Sequence, residues 1–144
     1  MDERSLREAI VRQFRDDRDL DAAHELYHED AVLEFPQSGE RFVGKQSFLG
    51  WRKAYPADVR YRIRRISGAG DVRVVELLVS YDGSPWMFGV SLMWFRDDRI
   101  AREAIYIGEG FAPSAQRTAW ATMFDPRASV RPEEWDPDAP SAIG

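Results

Sequence analysis

Four stretches with a two-residue period fill the middle of this chain, and they limit its fold more than any other feature. They cover residues 58–66, 72–81, 85–96 and 99–109 approximately, and only short turn sequences separate them. Connections this short join antiparallel neighbours, because a parallel crossover needs a dozen or more residues. The connections are Ser67-Gly68-Ala69-Gly70-Asp71, Asp82-Gly83-Ser84 and the tight pair Asp97-Asp98. The sequence therefore predicts a long, curved antiparallel sheet.

The third of these stretches is apolar on both faces, which is unusual for a strand with one side in water. One face carries Met87, Gly89, Ser91, Met93 and Phe95, and the other carries Trp86, Phe88, Val90, Leu92 and Trp94. Each of the two apolar faces of such a strand must pack against another part of the structure. We expect helices on the inner face and a second copy of the chain on the outer face, which predicts a homodimer.

The N-terminal part of the chain has helical periodicity instead. Leu6, Ile10 and Phe14 recur at i, i+4 and i+8, which predicts an amphipathic helix over residues 3–17. A second helix is predicted over 20–28 with Asp19 as its N-cap, followed by a strand over 31–35 that stops at Pro36. After a Gln37–Glu40 turn and a brief extended piece, a third helix is predicted over 45–54. The fold class is α+β.

The third predicted helix carries an aromatic stripe, Phe48, Trp51 and Tyr55. Packing against the sheet explains such a stripe, and so does a platform for a ligand; both can hold in the wall of a pocket. Beyond the sheet, one more helix is predicted over 114–124, and from Asp125 the chain is rich in Pro, Asp and Glu with a single Trp135. We expect a domain over 1–112 and a C-terminal helix with a flexible tail over 113–144.

The charge and composition exclude several classes of protein. A net charge of −5 and a pI near 5.1 disfavour a nucleic-acid binder. The absence of cysteine excludes disulfides, thiolate catalysis and cysteine-ligated metals, and it fits a reducing compartment. The N-terminus lacks the apolar core of a signal peptide, and no apolar run is long enough to span a bilayer. We expect a cytoplasmic protein without membrane contact.

Three segments carry a resemblance to a known family. They read D-L-D-A-A-H-E-L-Y-H-E-D-A-V-L-E-F-P (19–36), F-V-G-K-Q-S-F (42–48) and R-D-D-R-I-A-R-E-A-I-Y (96–106). Together with the order of elements, they resemble the nuclear transport factor 2-like superfamily, in particular SnoaL-like proteins, named for a polyketide cyclase. The resemblance covers roughly residues 3–110. It implies a cone-shaped sheet wrapped around the N-terminal helices, a cystatin-like roll, and no single activity, because the superfamily holds isomerases, epoxide hydrolases, cyclases, dehydratases and binders.

Family catalytic groups are missing where the resemblance would place them. The base of ketosteroid isomerase corresponds to Phe35, its carbonyl-polarising tyrosine falls near Val11, and its assisting aspartic acid falls near Ser91. A last-strand aspartate of limonene epoxide hydrolase corresponds to Ile105. The resemblance therefore implies neither of these two reactions in its usual form.

The resemblance and the strand alternation together imply a mostly apolar pocket with one carboxyl group. Desolvation disfavours the charged form of a carboxyl, so a lone one in apolar surroundings can take and return a proton near neutral pH. We therefore predict Glu103 as the catalytic residue, without a cofactor or metal, acting on a small apolar, carbonyl-bearing or polycyclic ligand. The predicted ligand-binding residues are Tyr27, Phe35, Trp51, Tyr55, Ser91, Met93, Ile105 and Ile107.

Several alternatives remain open. Glu103 could form an ion pair with Arg52. Glu76 is a second candidate for the pocket, although a slip of its strand by one residue would turn it outward. His24 and His28 are spaced like a metal-binding pair on a helix, but no third ligand has a matching position. The alternative function is a binding or dimeric scaffold module without chemistry.

Overall fold

The computed structural model describes residues 1–128, which form one curved mixed sheet with helices on its concave side. The helices are α1 (Glu3–Arg12), α2 (Leu20–His24) and α3 (Lys45–Ala54). The strands are β1 (Tyr27–Phe35), β2 (Glu40–Val43), β3 (Val59–Ser67), β4 (Val72–Tyr81), β5 (Met87–Arg96) and β6 (Arg99–Gly108). The predicted α+β class is confirmed.

The sheet runs in the order β2-β1-β6-β5-β4-β3, and it does not close on itself. Strands β3 to β6 form the predicted antiparallel meander. Strand β1 then adds to β6 in parallel, with Leu33 opposite Glu103, which makes the sheet mixed rather than wholly antiparallel. As a result, the strand after α2 lies inside the sheet, between the edge strand β2 and the last strand.

Turns and bulges give the sheet its curvature. Asp97 and Asp98 have φ values of 52° and 64°, the left-handed pair of a tight hairpin turn, which Asp tolerates better than most residues. Gly68 has φ 107°, and a Cβ there would lie 2.4 Å from the carbonyl oxygen of Val72, so only glycine fits. Register shifts at Trp94/Phe95 and Ile63/Arg65 add local bends. The resulting concave face can enclose a cavity.

The hydrophobic core lies between this concave face and the helices. Asp2 caps α1 by accepting a hydrogen bond from the Ser5 amide at 2.8 Å. Arg7 extends from α1 to the sheet and donates to the Ile66 carbonyl at 3.0 Å. Fully buried members of the core are Ile10, Leu33, Phe48, Val75, Val79, Met93 and Ile100. Helix α1 is thereby fixed against β3, and the inner side of the sheet is dry at that end.

Two predicted helices are shorter than their periodicity indicated. Helix α1 ends at Arg12 rather than at residue 17, because the following Asp-rich segment forms turns in solvent. Helix α2 ends at His24, and Tyr27 already begins β1. The amide of Ile100 donates to the Leu26 carbonyl at 2.8 Å, so pairing with the last strand replaces helical bonding there. His24 and His28 therefore do not share a helix face.

The predicted helix over 114–124 is wrong. Residues 115–120 form turns, and most backbone bonds in this segment span three residues rather than four. Short helices need a packed apolar face, whereas Phe111, Trp120, Met123 and Phe124 are exposed. The predicted flexible tail from Asp125, with Trp135, lies mostly outside the described residues. No helix within residues 1–128 is long and apolar enough to cross a membrane.

Candidate functional site

A cavity of about 330 Å³ opens between the concave face of the sheet and helices α2 and α3. This volume is at the lower end of the range for small-molecule sites. Its mouth carries the polar side chains Asp16, Arg18 and Asp58, whereas rings and aliphatic side chains form most of its walls. The shape and lining fit a compact, largely apolar ligand.

Glu103 lies at the inner wall of this cavity, in the middle of β6. Its side-chain carboxylate accepts a hydrogen bond from the Tyr27 hydroxyl on Oε1 and another from the Ser91 hydroxyl on Oε2, both at 2.5 Å. The residue is only 1% exposed. Within residues 1–128, no lysine, arginine or histidine nitrogen lies within 4.0 Å of this carboxylate. A buried acidic group is thus held by neutral hydroxyl donors rather than by a cation.

Sheet register explains why these groups meet. Ile105, next to Glu103 on the same face, pairs with Ser91, so Ser91 lies diagonally across from Glu103. Tyr27 comes from the first residue of β1, the parallel neighbour of β6. Burial and the nearby Glu103 raise the pKa of Tyr27 above its ordinary value. Tyr27 therefore keeps its proton and remains a donor to the carboxylate.

Arg52 and His24 extend this polar group toward the helices. The Arg52 Nη1 lies 2.9 Å from Nε2 of His24 and 3.4 Å from the Tyr27 hydroxyl oxygen. Nδ1 of His24 lies 2.7 Å from the carbonyl oxygen of Leu20. A neutral imidazole satisfies both contacts, donating from Nδ1 to Leu20 and accepting from Arg52 at Nε2. Burial and the Arg52 charge agree with this assignment, since they lower the pKa of His24 to about 4.

Arg52 remains protonated in this setting. Burial disfavours its charge, but Tyr27 and Glu103 outweigh that effect and raise the pKa of the guanidinium above its ordinary value. Its Cζ also lies 5.4 Å from the ring centre of Phe48 and 5.9 Å from that of Trp51. The cavity floor therefore combines a carboxylate, a phenol and a guanidinium in one connected group.

A run of aromatic rings forms the wall opposite. Trp51 is stacked on Phe42 with 5.3 Å between ring centres, and it meets Phe35 and Tyr55 edge-on at 5.6 and 5.7 Å. Tyr55 continues the run to Tyr81 at 6.3 Å. Of the aromatic stripe on α3, Trp51 and Tyr55 border the cavity, whereas Phe48 is buried in the core. A role of these rings as a platform for a ligand stays a prediction.

The structure brings most of the predicted site residues to one cavity. The residues that line it are Tyr27, Phe35, Trp51, Tyr55, Glu103, Ile105 and Ile107. Ser91 and Met93 do not line it: both are fully buried, Ser91 beneath the Glu103 carboxylate and Met93 beside Glu103 in the β5–β6 pairing. Alternation put them on the correct face, but Glu103 covers one and core packing encloses the other. Their predicted contact with a ligand is therefore corrected.

Other candidate groups lie elsewhere. Glu76 is on the outer face of the sheet, where it pairs with Arg65 and lies 3.8 Å from Arg64. Glu34 also points outward, toward Arg41 and Arg102. Across the part of the chain that the structure describes, no cluster of three His, Cys, Asp or Glu side chains is arranged to hold a metal.

Two members of the site, Arg52 and His24, were not predicted in their observed roles. Arg52 was considered only as an ion-pair partner of Glu103, and His24 only as a metal ligand. The signal for Arg52 was its position four residues after Phe48, which places it beside the aromatic stripe. The sequence carried no comparable signal for the Arg52–His24 contact, which joins two helices 28 residues apart.

Comparisons with known proteins agree with this fold. The family model for the SnoaL-like domain matches residues 8–103. An NTF-2 like protein of unknown function from Burkholderia xenovorans LB400 is 30% identical with a TM-score of 0.77, over 85% of this chain and 98% of that one. Comparison with curated proteins gives no match.

Two structures with lower identity show the fold alone. A candidate ketosteroid isomerase from Kribbella flavida DSM 17836 is 21% identical with a TM-score of 0.75, over 88% of this chain and 93% of that one. An M. tuberculosis LEH-like epoxide hydrolase is 18% identical with a TM-score of 0.59, over 72% and 80%. The fold is therefore shared by proteins with different activities.

Proposed function

The chain belongs to the SnoaL-like family, and we propose that it is a cofactor-independent enzyme that moves a proton within a small, largely apolar substrate. The substrate class is a carbonyl-bearing or polycyclic compound, and the reaction is of the cyclase, isomerase or dehydratase type. The cavity volume and the aromatic wall support a compact ring-bearing ligand.

One observation carries this proposal: a buried carboxylate borders the cavity without a cationic partner. Glu103 is 1% exposed and accepts hydrogen bonds only from Tyr27 and Ser91 within the described residues. The two hydroxyl donors leave each carboxylate oxygen a further lone pair that can accept a proton from a ligand. Such a group is suited to general base catalysis.

The proposed step is proton abstraction next to a carbonyl. The C–H bond breaks, its electron pair forms the C=C bond of an enolate, and the proton forms an O–H bond on Glu103. Returning that proton to another carbon isomerises the substrate. Alternatively, the enolate carbon attacks a second carbonyl carbon and closes a ring; the π pair of that carbonyl moves to its oxygen, and the alkoxide takes the proton back from Glu103. Tyr27 and Ser91 hold the carboxylate in place, and the rings of Trp51 and Phe35 exclude water from the reacting atoms.

Solvent exchange tests the base directly, whichever product the reaction forms. Ring ketones that raise the thermal stability of the protein are incubated with it in D₂O, and NMR follows deuterium entry beside the carbonyl. We expect the wild-type protein to accelerate exchange and Glu103→Gln to lose about 10²–10⁴-fold of that acceleration.

Glu34→Gln is the matched control, because it removes a carboxylate from the neighbouring strand on the outer face. It should exchange like the wild type. Ligand-induced thermal shifts should persist in Glu103→Gln, which separates loss of chemistry from loss of binding. Equal exchange in Glu103→Gln and the wild type would remove Glu103 from the mechanism.

A specific observation also supports a second function, that of a non-catalytic ligand carrier. Both Glu103 oxygens already accept short hydrogen bonds, and through them the carboxylate links β1, β5 and β6 beneath the cavity. The same assay separates the two functions: a carrier shows thermal shifts with ring compounds but no accelerated exchange. For a carrier, Glu103→Gln should lower the free energy of unfolding without changing the rate of deuterium exchange.

Homodimerisation through the outer sheet face remains part of the proposal. Trp94 is 36% exposed there. The chain itself partly covers Trp86 and Phe88, since Arg62 and Arg127 lie over their rings at 4.9 and 5.1 Å. We therefore expect the contact to centre on Trp94. Sedimentation showing a monomer at micromolar concentration, for wild type and Trp94→Ser alike, would contradict it.

A further inference from the structure

Arg52 has hydrogen-bonding capacity that the protein does not use. Within residues 1–128 its Nη1 meets His24 and Tyr27, while Nε and Nη2 make no hydrogen bond to the protein. A guanidinium offers five N–H donors in a planar fork. Arg52 also lines the cavity. Its remaining donors are thus available to a ligand in the same space as Glu103.

The charge of Arg52 also has no carboxylate in direct contact with it. In the described part of the chain, no carboxylate oxygen lies within 4.0 Å of its nitrogens, and Glu103 is reached only through the Tyr27 hydroxyl. The faces of Tyr27, Phe48 and Trp51 lie around the guanidinium at 6.0, 5.4 and 5.9 Å. Ring faces attract a cation but offer no oxygen to accept its N–H hydrogen bonds. An oxygen anion would match both the charge and the free donors.

We infer that Arg52 binds a ligand oxygen that carries negative charge, either a permanent carboxylate or a carbonyl oxygen that becomes an enolate. The second source rests on the proposed proton abstraction, whereas the first does not. In that case Glu103 takes the proton from carbon while Arg52 stabilises the charge that develops on oxygen. This places the reacting bond of the substrate between β6 and α3.

His24 acts as a positioning residue for this contact. It accepts from Nη1 at 2.9 Å, and its own Nδ1 is held by the Leu20 carbonyl at 2.7 Å. The guanidinium plane is therefore fixed by a neutral partner that does not cancel its charge. A carboxylate in place of His24 would orient Arg52 equally well but would compete with the ligand.

Three two-ring probes test the inference by equilibrium binding: 2-naphthoate, 2-acetylnaphthalene and 2-ethylnaphthalene. They share a ring system and differ in offering an anionic oxygen, a neutral carbonyl oxygen or no oxygen. Isothermal titration calorimetry at neutral pH gives Kd for the wild type, Arg52→Met and Lys53→Met. Lys53 is the matched control, because it is the next cation on α3 but pairs outside the cavity with Asp21 at 2.7 Å.

We expect an oxygen-bearing probe to bind the wild type more tightly than ethylnaphthalene, and Arg52→Met to weaken it about 10- to 100-fold. Lys53→Met should leave all three affinities within about twofold. If the affinity for naphthoate depends on Arg52, the ligand is permanently anionic. If the affinity for acetylnaphthalene depends on Arg52, the ligand is a carbonyl substrate. If no oxygen-bearing probe outbinds ethylnaphthalene, or none depends on Arg52, the inference is overturned.

A second measurement uses only the wild-type protein, so it tests the inference even if Arg52→Met does not fold. The charge of Arg52 contributes to the low pKa of His24, with smaller contributions from Lys45 and Arg18. An anion on Arg52 should therefore raise the pKa of His24, read from its ring NMR signals, relative to the complex with ethylnaphthalene. Equal values in the naphthoate and ethylnaphthalene complexes would count against an anion at Arg52. Because both measurements are of binding, a failed exchange assay with Glu103→Gln leaves them interpretable.

Discussion

Two carboxylates on opposite faces of the same sheet have partners of opposite kinds, cations on one face and neutral hydroxyls on the other. Glu76, on the outer face, is 26% exposed in its side chain and is held by Arg65, with Arg64 nearby. Glu103, on the inner face, is 1% exposed and is held by the hydroxyls of Tyr27 and Ser91. Cations therefore contact the outer carboxylate, whereas the inner carboxylate has only hydroxyl partners beside the cavity. Burial alone would predict the reverse, because desolvation makes a cation partner most valuable inside.

The arginines on the two faces differ in their surroundings as well. Arg62 on the outer face is exposed and lies over the ring of Trp86, just before β5. Arg52 on the inner side also lies against rings, but its nearest polar partners are an imidazole and a phenol rather than a carboxylate. The inner face thus separates its positive and negative groups with neutral donors and acceptors. A polarised substrate could occupy the position between them.

The largest expected effect concerns the neutral imidazole that maintains this separation. His24 has a pKa of about 4 in the folded protein, below its ordinary 6.5, because burial and then Arg52 disfavour its protonation. The unfolded chain therefore takes up the proton first as pH falls. The contribution of His24 to the free energy of unfolding should be constant above pH 6.5 and fall between pH 6.5 and 4 by about 2–3 kcal/mol, allowing for screening in the cavity. Urea unfolding at a series of pH values measures this.

Among the groups with shifted pKa values, His24 accounts for the loss of stability in the upper part of this pH range. Asp2, Glu3, Glu29 and Asp30 have lowered pKa values, so their stabilisation is lost only as pH falls below their ordinary values of 3.8 to 4.5. His24→Gln should therefore flatten the curve between pH 6.5 and 4.5 and leave the lower part unchanged. An unaltered slope in that variant would show that the acid sensitivity arises elsewhere.

Sequence periodicity predicted the fold well where structure is local. The meander, the Asp97-Asp98 turn and the start of α3 depend on neighbouring residues, and their predictions are close to the observed bounds. The end of α2 depends on β6, because Leu26 bonds Ile100 across 74 positions of the chain. Helical periodicity over residues 20–28 could not reveal that competition, so the helix was predicted too long.

The sequence predicted which strand face borders the cavity, but it did not predict the hydrogen bonds among the side chains of the site. Alternation put Glu103, Ile105 and Ile107 on one side of a strand, and the cavity lies on that side. Whether Ser91 reaches the ligand or lies beneath Glu103 depends on side-chain lengths across the β5–β6 pairing, which periodicity does not encode. The same holds for Arg52, for which an ion pair with Glu103 was one open alternative and which instead contacts His24.

A smaller effect is expected when the inner carboxylate loses one hydroxyl donor. Tyr27→Phe keeps the ring that packs on Phe48 at 4.9 Å but removes the donor to Glu103 Oε1. A buried carboxylate then loses a charge-assisted hydrogen bond, which should lower the free energy of unfolding by about 2 kcal/mol. Urea unfolding with an unchanged m-value measures the loss as a shift of the midpoint. A loss below about 0.5 kcal/mol would show that water replaces the hydroxyl there.

The smallest effect is expected from the corresponding change on the outer face. Arg65→Met removes the principal cation that holds Glu76, yet Arg64 remains 3.8 Å away. Burial and the neighbouring Arg64 lower the pKa of Arg65, so its removal also relieves repulsion between two guanidinium groups. The free energy of unfolding should change by less than about 1 kcal/mol in the same urea experiment, and still less at high salt. A loss larger than that of Tyr27→Phe would reverse the comparison, because the outer ion pair rather than the inner hydroxyls would then stabilise the sheet, and Glu103 would be the less constrained carboxylate.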